Sequence, residues 1–385
     1  MDAGSYAVIG IIAATTTAVV LPFAGRLATR LGLLVAPDNR GVHSEAIPAA
    51  GGIAMLAGVI SAASLAKFAI NGLSDNLSSS VEVVGVIAAA VMIFSVGVVD
   101  DIRDIPPWVK IAGIAPTGLL LALTGMSIDV FRIPFYDLLF LSGVWSVVMT
   151  MLWVMGMANV VNLIDGLDGL AAGIIAIAAG SFLLYSLRLV DLGMINADNP
   201  GPVWAAIAFG VSVGFLPYNF HPARVFMGDG GALLLGLLMA ASTISVGGRL
   251  PEKFSGQAFF FYAPLFIPLV ILGVPIADTV FAVVRRAMRR RKVWMPDKEH
   301  LHHRLMRLGH GHRRSVLILW LWTALLSAFV LYPTYTGRGD AIVPAGIAAL
   351  ALFLYTLFRP RLSRQKAQTN TNGDSAASLD NSIDS

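Results

Sequence analysis

Five polar clusters hold most of the side chains in this sequence that could do chemistry. They are "PDNRGVHSEAIPAAGG" (37–52), "VVDDIRDIPP" (98–107), "NVVNLIDGLDGL" (159–170), "PYNFHPARVFMGDGG" (217–231) and "PDKEHLHHRLMRLGHGHRR" (296–314). Asp100, Asp101 and Asp104 close an apolar run. Adjacent carboxylates repel, so such a group suits a divalent cation, a cationic partner or a proton-transfer role. A plain acidic helix end facing water is the competing reading.

Asn159, Asn162, Asp165 and Asp168 recur every three residues. On a straight α-helix each step of three turns by about −60°, which scatters four residues over half the circumference. They cannot share one face, and Gly166 and Gly169 predict a break that lets carboxylates and backbone line a polar pocket at a membrane edge. A simple turn built from Asn and Asp is the alternative.

Asp229 precedes two glycines that open an apolar span. A bare backbone at a helix start can approach phosphate, and the carboxylate can hold its Mg²⁺; an N-cap aspartate would look the same. The run His300, Leu301, His302, His303, Arg304, with His310 and His312 downstream, suits a grip on a pyrophosphate. A zinc site is the rival, although no carboxylate or cysteine completes a ligand set. Asp278 lies inside an apolar run, either as a functional acid or paired with Arg285 or Arg286.

The elements that must position these groups are membrane helices. The 385 residues are 56% hydrophobic and 13% charged, with no cysteine, so lipid is the expected solvent and thiol chemistry is excluded. A bilayer core of roughly 30 Å needs about 17 to 25 helical residues. Eleven uncharged stretches qualify: 6–25, 46–66, 83–99, 111–128, 138–164, 169–187, 199–220, 230–248, 254–277, 315–337 and 341–358.

The first stretch follows Asp2 and no basic residue, so it reads as a retained helix rather than a signal peptide. With the N-terminus outside, 21 of the 27 Lys and Arg fall on the cytoplasmic side, eleven of them in 285–314, together with all five clusters. The expected fold is therefore all-α and polytopic with a cytoplasmic C-terminus. Residues 1–358 form one transmembrane domain, and 359–385 form a tail too polar to bury a core. No internal repeat of the transporter kind is visible, and ionisable groups gather at one surface, which disfavours a transporter or lipid flippase.

Together, "VVDDIRD", "NVVNLIDGLDGLAAG", "NFHPARVFMGDGGALLLG" and "HLHHRL", in this order and spacing, resemble the polyprenyl-phosphate N-acetylhexosamine-1-phosphate transferase family over about residues 6–335. "RGVHSEAIPAAGGIAM" looks like that family's first cytoplasmic loop. The resemblance implies Asp229 as the Mg²⁺ ligand, with Mn²⁺ a candidate substitute. It implies Asp100 and Asp101 as the acidic pair at the acceptor phosphate, with His302 and His303 as further catalytic groups. Asn159, Asn162, Asp165, Asp168, Asn219, His300, Arg304 and His43 become substrate-binding candidates, and Phe226 a stacking platform for uracil.

Leu301 between the first two histidines points to the WecA/TagO-type branch and a UDP-N-acetylglucosamine donor, rather than the pentapeptide branch. Ala232 stands where many relatives carry a hydroxyl residue, and "HLHHRLMRLGHGHRR" is similar to actinobacterial members, implying decaprenyl phosphate as acceptor. The implied partners are a UDP-sugar, a polyprenyl phosphate and the bacterial inner membrane. No nucleic acid is expected, and a homodimer is left open. The implied first membrane step of a glycan pathway releases UMP.

Overall fold

The computed structural model describes residues 2–30, 46–71, 79–132, 138–248, 266–273 and 310–337. It also describes single positions and short pieces at 32, 34–35, 276–277, 280, 288, 305–306, 308, 344, 346–349 and 351–352. Ten helices are named among them: α1 (Ala3–Arg30), α2 (Gly51–Asn71), α3 (Ser79–Arg103), α4 (Pro107–Leu123), α5 (Val144–Ile164), α6 (Leu170–Asp191), α7 (Gly201–Asn219), α8 (Gly228–Gly247), α9 (Phe266–Ile271) and α10 (His312–Thr336). Among the described residues, seven helices are long and apolar enough to cross a bilayer, and two shorter apolar helices span Gly51–Lys67 and Pro107–Leu123. This is an all-α membrane protein. The expected stretches 254–277 and 341–358 are described only in pieces.

Several expected boundaries shift for local reasons. The stretch 46–66 begins its helix only at Gly51, because Ile47–Pro48 (β2) pairs with Leu34–Val35 (β1) and Ala49 bridges to Phe226. The stretch 138–164 splits: Leu138–Phe140 (β4) pairs antiparallel with Val130–Arg132 (β3), and α5 starts after Gly143 at φ 55°. Apolar strands and apolar helices share a composition, so a count of uncharged residues cannot separate them. At the other extreme α3 runs beyond its expected end at 99 and carries Asp100 and Asp101 on its last turn. Asp104 ends it in the left-handed region (φ 47°), its amide donating to the Asp100 carbonyl at 2.8 Å, a conformation that Asp tolerates better than most residues.

The core is organised around α8. Every residue of α8 from Gly230 to Val246 is buried, so this helix, apolar on all sides, is solvated by protein rather than lipid. It packs against α2, α3, α5 and α7, while α1 closes on α2 and α7, and α10 lies on α6. With lipid tails as apolar as leucine, close packing must supply the attraction between helices. Glycines make it possible: a Cβ on Gly97 of α3 would overlap the Gly230 backbone, and one on Gly52 of α2 would lie 2.6 Å from the Gly231 amide.

Polar side chains fasten helices across the interior. Trp153 Nε1 donates to Thr243 Oγ1 at 2.9 Å, and Ser242 Oγ donates to the Gly201 carbonyl at 2.7 Å. Successive helices alternate in direction. This places the C-terminal ends of α3, α5 and α7 beside the N-terminal ends of α4, α6, α8 and α10, and the functional side chains meet there.

Candidate active site

Asp229 sits in the first turn of α8, beside the last turn of α3. Its amide donates to Asp101 Oδ1 at 2.8 Å and the Gly230 amide approaches Asp101 Oδ2 at 3.4 Å, so Asp101 buckles α3 onto the start of α8. Capping two otherwise orphaned amides with a carboxylate also complements the helix dipole. Gly228, at φ 70°, leads the chain into α8, and a Cβ there would lie 2.6 Å from Asp101 Oδ2; a side chain is excluded twice over.

Lys110, on the first turns of α4, reaches into the same place. Its Nζ lies 2.7 Å from Asp100 Oδ2, is bonded to Asp229 Oδ2, and donates to Asn162 Oδ1 at 3.0 Å. Asn162 in turn donates from Nδ2 to Asp229 Oδ1 at 2.8 Å. Asp100 is held from the other side by the Ile105 amide at 2.9 Å. Asp165, the C-cap of α5, sits among Asp229, Asp101 and Asp168. Burial, then the charges of those three carboxylates, push its carboxyl up to about 7. The predicted break between α5 and α6 is real: 165–169 is a turn that enters α6 through Gly169 at φ 76°.

The turn is tied to the loop before α8. Asn219 accepts from the Gly169 amide at 2.9 Å and donates to the Val225 carbonyl at 3.0 Å. Asp168, 6% exposed, accepts from the Ala223 amide at 3.1 Å and lies 2.7 Å from His221 Nδ1. His312 Nε2, at the start of α10, is 3.9 Å from the same carboxylate oxygen. The Phe226 amide donates to Pro48 O at 3.0 Å, and its carbonyl accepts from the Gly51 amide at 2.9 Å. Its side chain is part-buried, three positions before Asp229.

Of the residues expected from sequence, Asp100, Asp101, Asn162, Asp165 and Asp229 therefore converge. Asp168 and Asn219 support the loops around them. Asn159 turns back on its own helix, donating to the Met155 carbonyl at 2.7 Å. His43, Asp278, His300, His302, His303 and Arg304 lie outside the described residues. The glycines after Asp229 were expected to bare the backbone to phosphate; instead Gly230 and Gly231 bring α3 and α2 against α8. Two participants carried no expectation as site residues. Lys110 is one, though a lone cation in an apolar run six residues beyond three acids is a signal. His221 lies within a quoted motif but had no role.

The oxygen-only donor set fits a hard divalent cation. Asp100 and Asp229 pair with the Lys110 ammonium and Asp101 and Asp165 lie close by, so four carboxylates against one ammonium leave three charges uncompensated when all are ionised. Comparison with known sequences bears on what such a centre serves. The profile of glycosyl transferase family 4 matches residues 83–247. A decaprenyl-phosphate N-acetylglucosaminephosphotransferase of Mycolicibacterium smegmatis is 33% identical over 363 residues, covering 93% of this chain and 89% of that protein. The chain belongs to glycosyl transferase family 4.

Other similar family 4 members extend the range of relatives. A probable undecaprenyl-phosphate N-acetylglucosaminyl 1-phosphate transferase of Bacillus subtilis is 34% identical, covering 83% of each chain. The undecaprenyl-phosphate alpha-N-acetylglucosaminyl 1-phosphate transferase of Escherichia coli is 27% identical, covering 88% of this chain and 87% of that one. The family 4 match begins in α3 and ends with α8, and so encloses every residue of the carboxylate cluster.

Proposed function

We propose that this family 4 chain transfers N-acetylglucosamine-1-phosphate from UDP-N-acetylglucosamine to a polyprenyl phosphate, releasing UMP, at the cytoplasmic face of a bacterial membrane. The observation that carries the reading is the convergence of Asp100, Asp101, Asp165, Asp229, Asn162 and Lys110 at one end of the helix bundle. The names of the relatives support the donor sugar and the lipid acceptor. Actinobacterial relatives use decaprenyl phosphate by name, and that acceptor is the one proposed. Eleven spans, an external N-terminus and a cytoplasmic C-terminus complete the proposed topology, which the distribution of Lys and Arg supports.

Asp229, with Asp100 beside it, would hold a magnesium ion, whose charge when bound offsets the repulsion between two anionic substrates. The chain's own groups do the rest. Asp101 fixes the start of α8 and thereby the direction in which Asp229 points. Asn162 orients the Asp229 carboxylate. Lys110 occupies the centre of the acids and, released from them, is long enough to pair with a phosphate oxygen of either substrate.

The acceptor phosphate is a monoester with a second pKa near 6, so its attacking oxygen is largely ionised at neutral pH and no strong base is needed. The attack on the β-phosphorus of the donor expels UMP. Asp165, whose carboxyl is raised by burial and by the neighbouring carboxylates when no metal is bound, is the group that would take the residual proton from the acceptor phosphate.

The test is turnover by purified protein supplied with Mg²⁺, decaprenyl phosphate and a panel of UDP-sugars, read as UMP release. Release only with UDP-N-acetylglucosamine and lipid together supports the assignment. Release with a different UDP-N-acetylhexosamine would move the donor, and no release with any donor would sink the reaction.

A further inference from the structure

Asp168, His221 and His312 come from three separate segments, the α5–α6 turn, the loop before α8 and the start of α10, yet their ligating atoms all lie within 4.8 Å of one another. Asp168 Oδ2 is the shared point, 2.7 Å from His221 Nδ1 and 3.9 Å from His312 Nε2. The two imidazoles stack nearly parallel, with centroids 4.2 Å apart and planes 21° apart, so both present a ring edge to the same carboxylate. All three side chains are largely withdrawn from water, at 5%, 17% and 9% exposure for Asp168, His221 and His312.

The geometry points to a second metal site, one for a borderline divalent cation of the zinc type, held by Asp168, His221 and His312. Four-coordinate zinc has bonds of about 2.0–2.2 Å, so its ligand atoms stand roughly 3.3 Å apart. The present separations of 2.7 and 3.9 Å bracket that value and the third lies within 4.8 Å, so the stacked imidazoles need to turn apart to converge on one ion. The donor chemistry separates this site from the carboxylate cluster: imidazole suits zinc, copper, iron or nickel, while magnesium prefers all-oxygen ligands.

Two further bonds fix the carboxylate and the backbone at His221. The Ala223 amide holds Asp168 Oδ2 at 3.1 Å, and Arg313 Nε donates to the His221 carbonyl at 3.1 Å. Three protein ligands leave a fourth position for an exogenous donor. Bound there, the ion clamps the α5–α6 turn to the start of α10, and so to the chain that leads back toward His303 and Arg304.

The experiment uses the full chain, purified without a polyhistidine tag, loaded with Zn²⁺ in excess Mg²⁺ and then desalted. One retained zinc per chain is expected. His221→Gln and His312→Gln should each weaken zinc binding by about 100-fold or more, since losing even a partner that only orients a ligand costs about 10- to 100-fold. Asp229→Asn and the combined His300→Gln, His302→Gln, His303→Gln chain should retain it, which distinguishes this site from both the carboxylate cluster and the histidine run. X-ray absorption at the zinc edge of the parent chain decides the matter should a variant fail to fold. Two imidazoles with oxygen support the site, whereas no retained zinc, an all-oxygen shell, or binding lost with the three histidines overturns it.

Discussion

At the scale of single residues, the site is a contest for one cation position. Lys110 holds Asp100, Asp229 and Asn162 together, and a divalent ion would have to displace its ammonium from the two acids. Replacing Lys110 with Met should therefore lower the Mg²⁺ concentration needed for half-maximal rate while cutting kcat by about tenfold, because the favourable charge on the phosphates is lost. A titration of rate against Mg²⁺ separates the two effects; a raised Mg²⁺ requirement would contradict them. Asp229→Asn should cost on the order of 100-fold or more in kcat, the scale of losing a group that acts on transition-state charge.

Asp165 makes a prediction about pH. Its carboxyl titrates at about 7 in the fold against 3.8 when unperturbed, so the folded chain binds its proton more tightly than the unfolded chain. The stabilisation belongs to the protonated form. It is complete below about pH 4 and fades as pH rises through 7. In Mg²⁺-free buffer Asp165→Asn should melt increasingly above the parent as pH climbs from 4 to 7, and a gap that shrinks with pH would refute the assignment.

At the scale of elements, catalysis depends on how closely backbones approach. Gly97 and Gly230 let α3 lie against α8, and that contact sets the reach of Asp101 to the Asp229 amide. Gly97→Ala must push the helices apart or strain them, at about 1–3 kcal/mol of stability. Activity should fall further than the melting point implies, since Asp101 and Asp229 separate at the same time. Gly156 in α5 is the matched control: a Cβ there meets nothing within 4 Å, and Gly156→Ala should be neutral or stabilise by up to about 1 kcal/mol. Measured together, melting points and turnover of the two variants tell a local packing effect from a general intolerance of change.

At the scale of the whole molecule, the alternation of helix direction puts the described candidate residues Asp100, Asp101, Lys110, Asn162, Asp165 and Asp229 at one end of the bundle. The other end is tied by contacts such as the Asp129 and Val130 amides to the Gly248 carbonyl, at 2.8 and 2.9 Å. The absence of cysteine makes sidedness simple to test. A single cysteine in place of exposed Asp198 should react with an impermeant maleimide on intact cells, and one in place of exposed Arg103 only after permeabilisation. The reverse pattern would invert the topology and place the site outside.

The sequence by itself determined that this chain lives in a membrane, because burying 56% hydrophobic residues in helices long enough to span it has no other outcome. It also pointed to acids at the edges of apolar helices, which are costly to keep without a use, and of these Asp100, Asp101, Asp165 and Asp229 meet in the fold. The break at Gly166 and Gly169 was legible from helical periodicity for the same kind of local reason.

What only the tertiary structure decided is the assignment of partners. Lys110 meets Asp229 across 119 positions of chain and Asp168 meets His221 across 53, and no local pattern encodes contacts set by the packing of four or five helices. The same holds for Gly230 and Gly231. A glycine beside an aspartate reads identically whether it bares the backbone to a phosphate or to another helix, and only the neighbour that arrives there distinguishes the two.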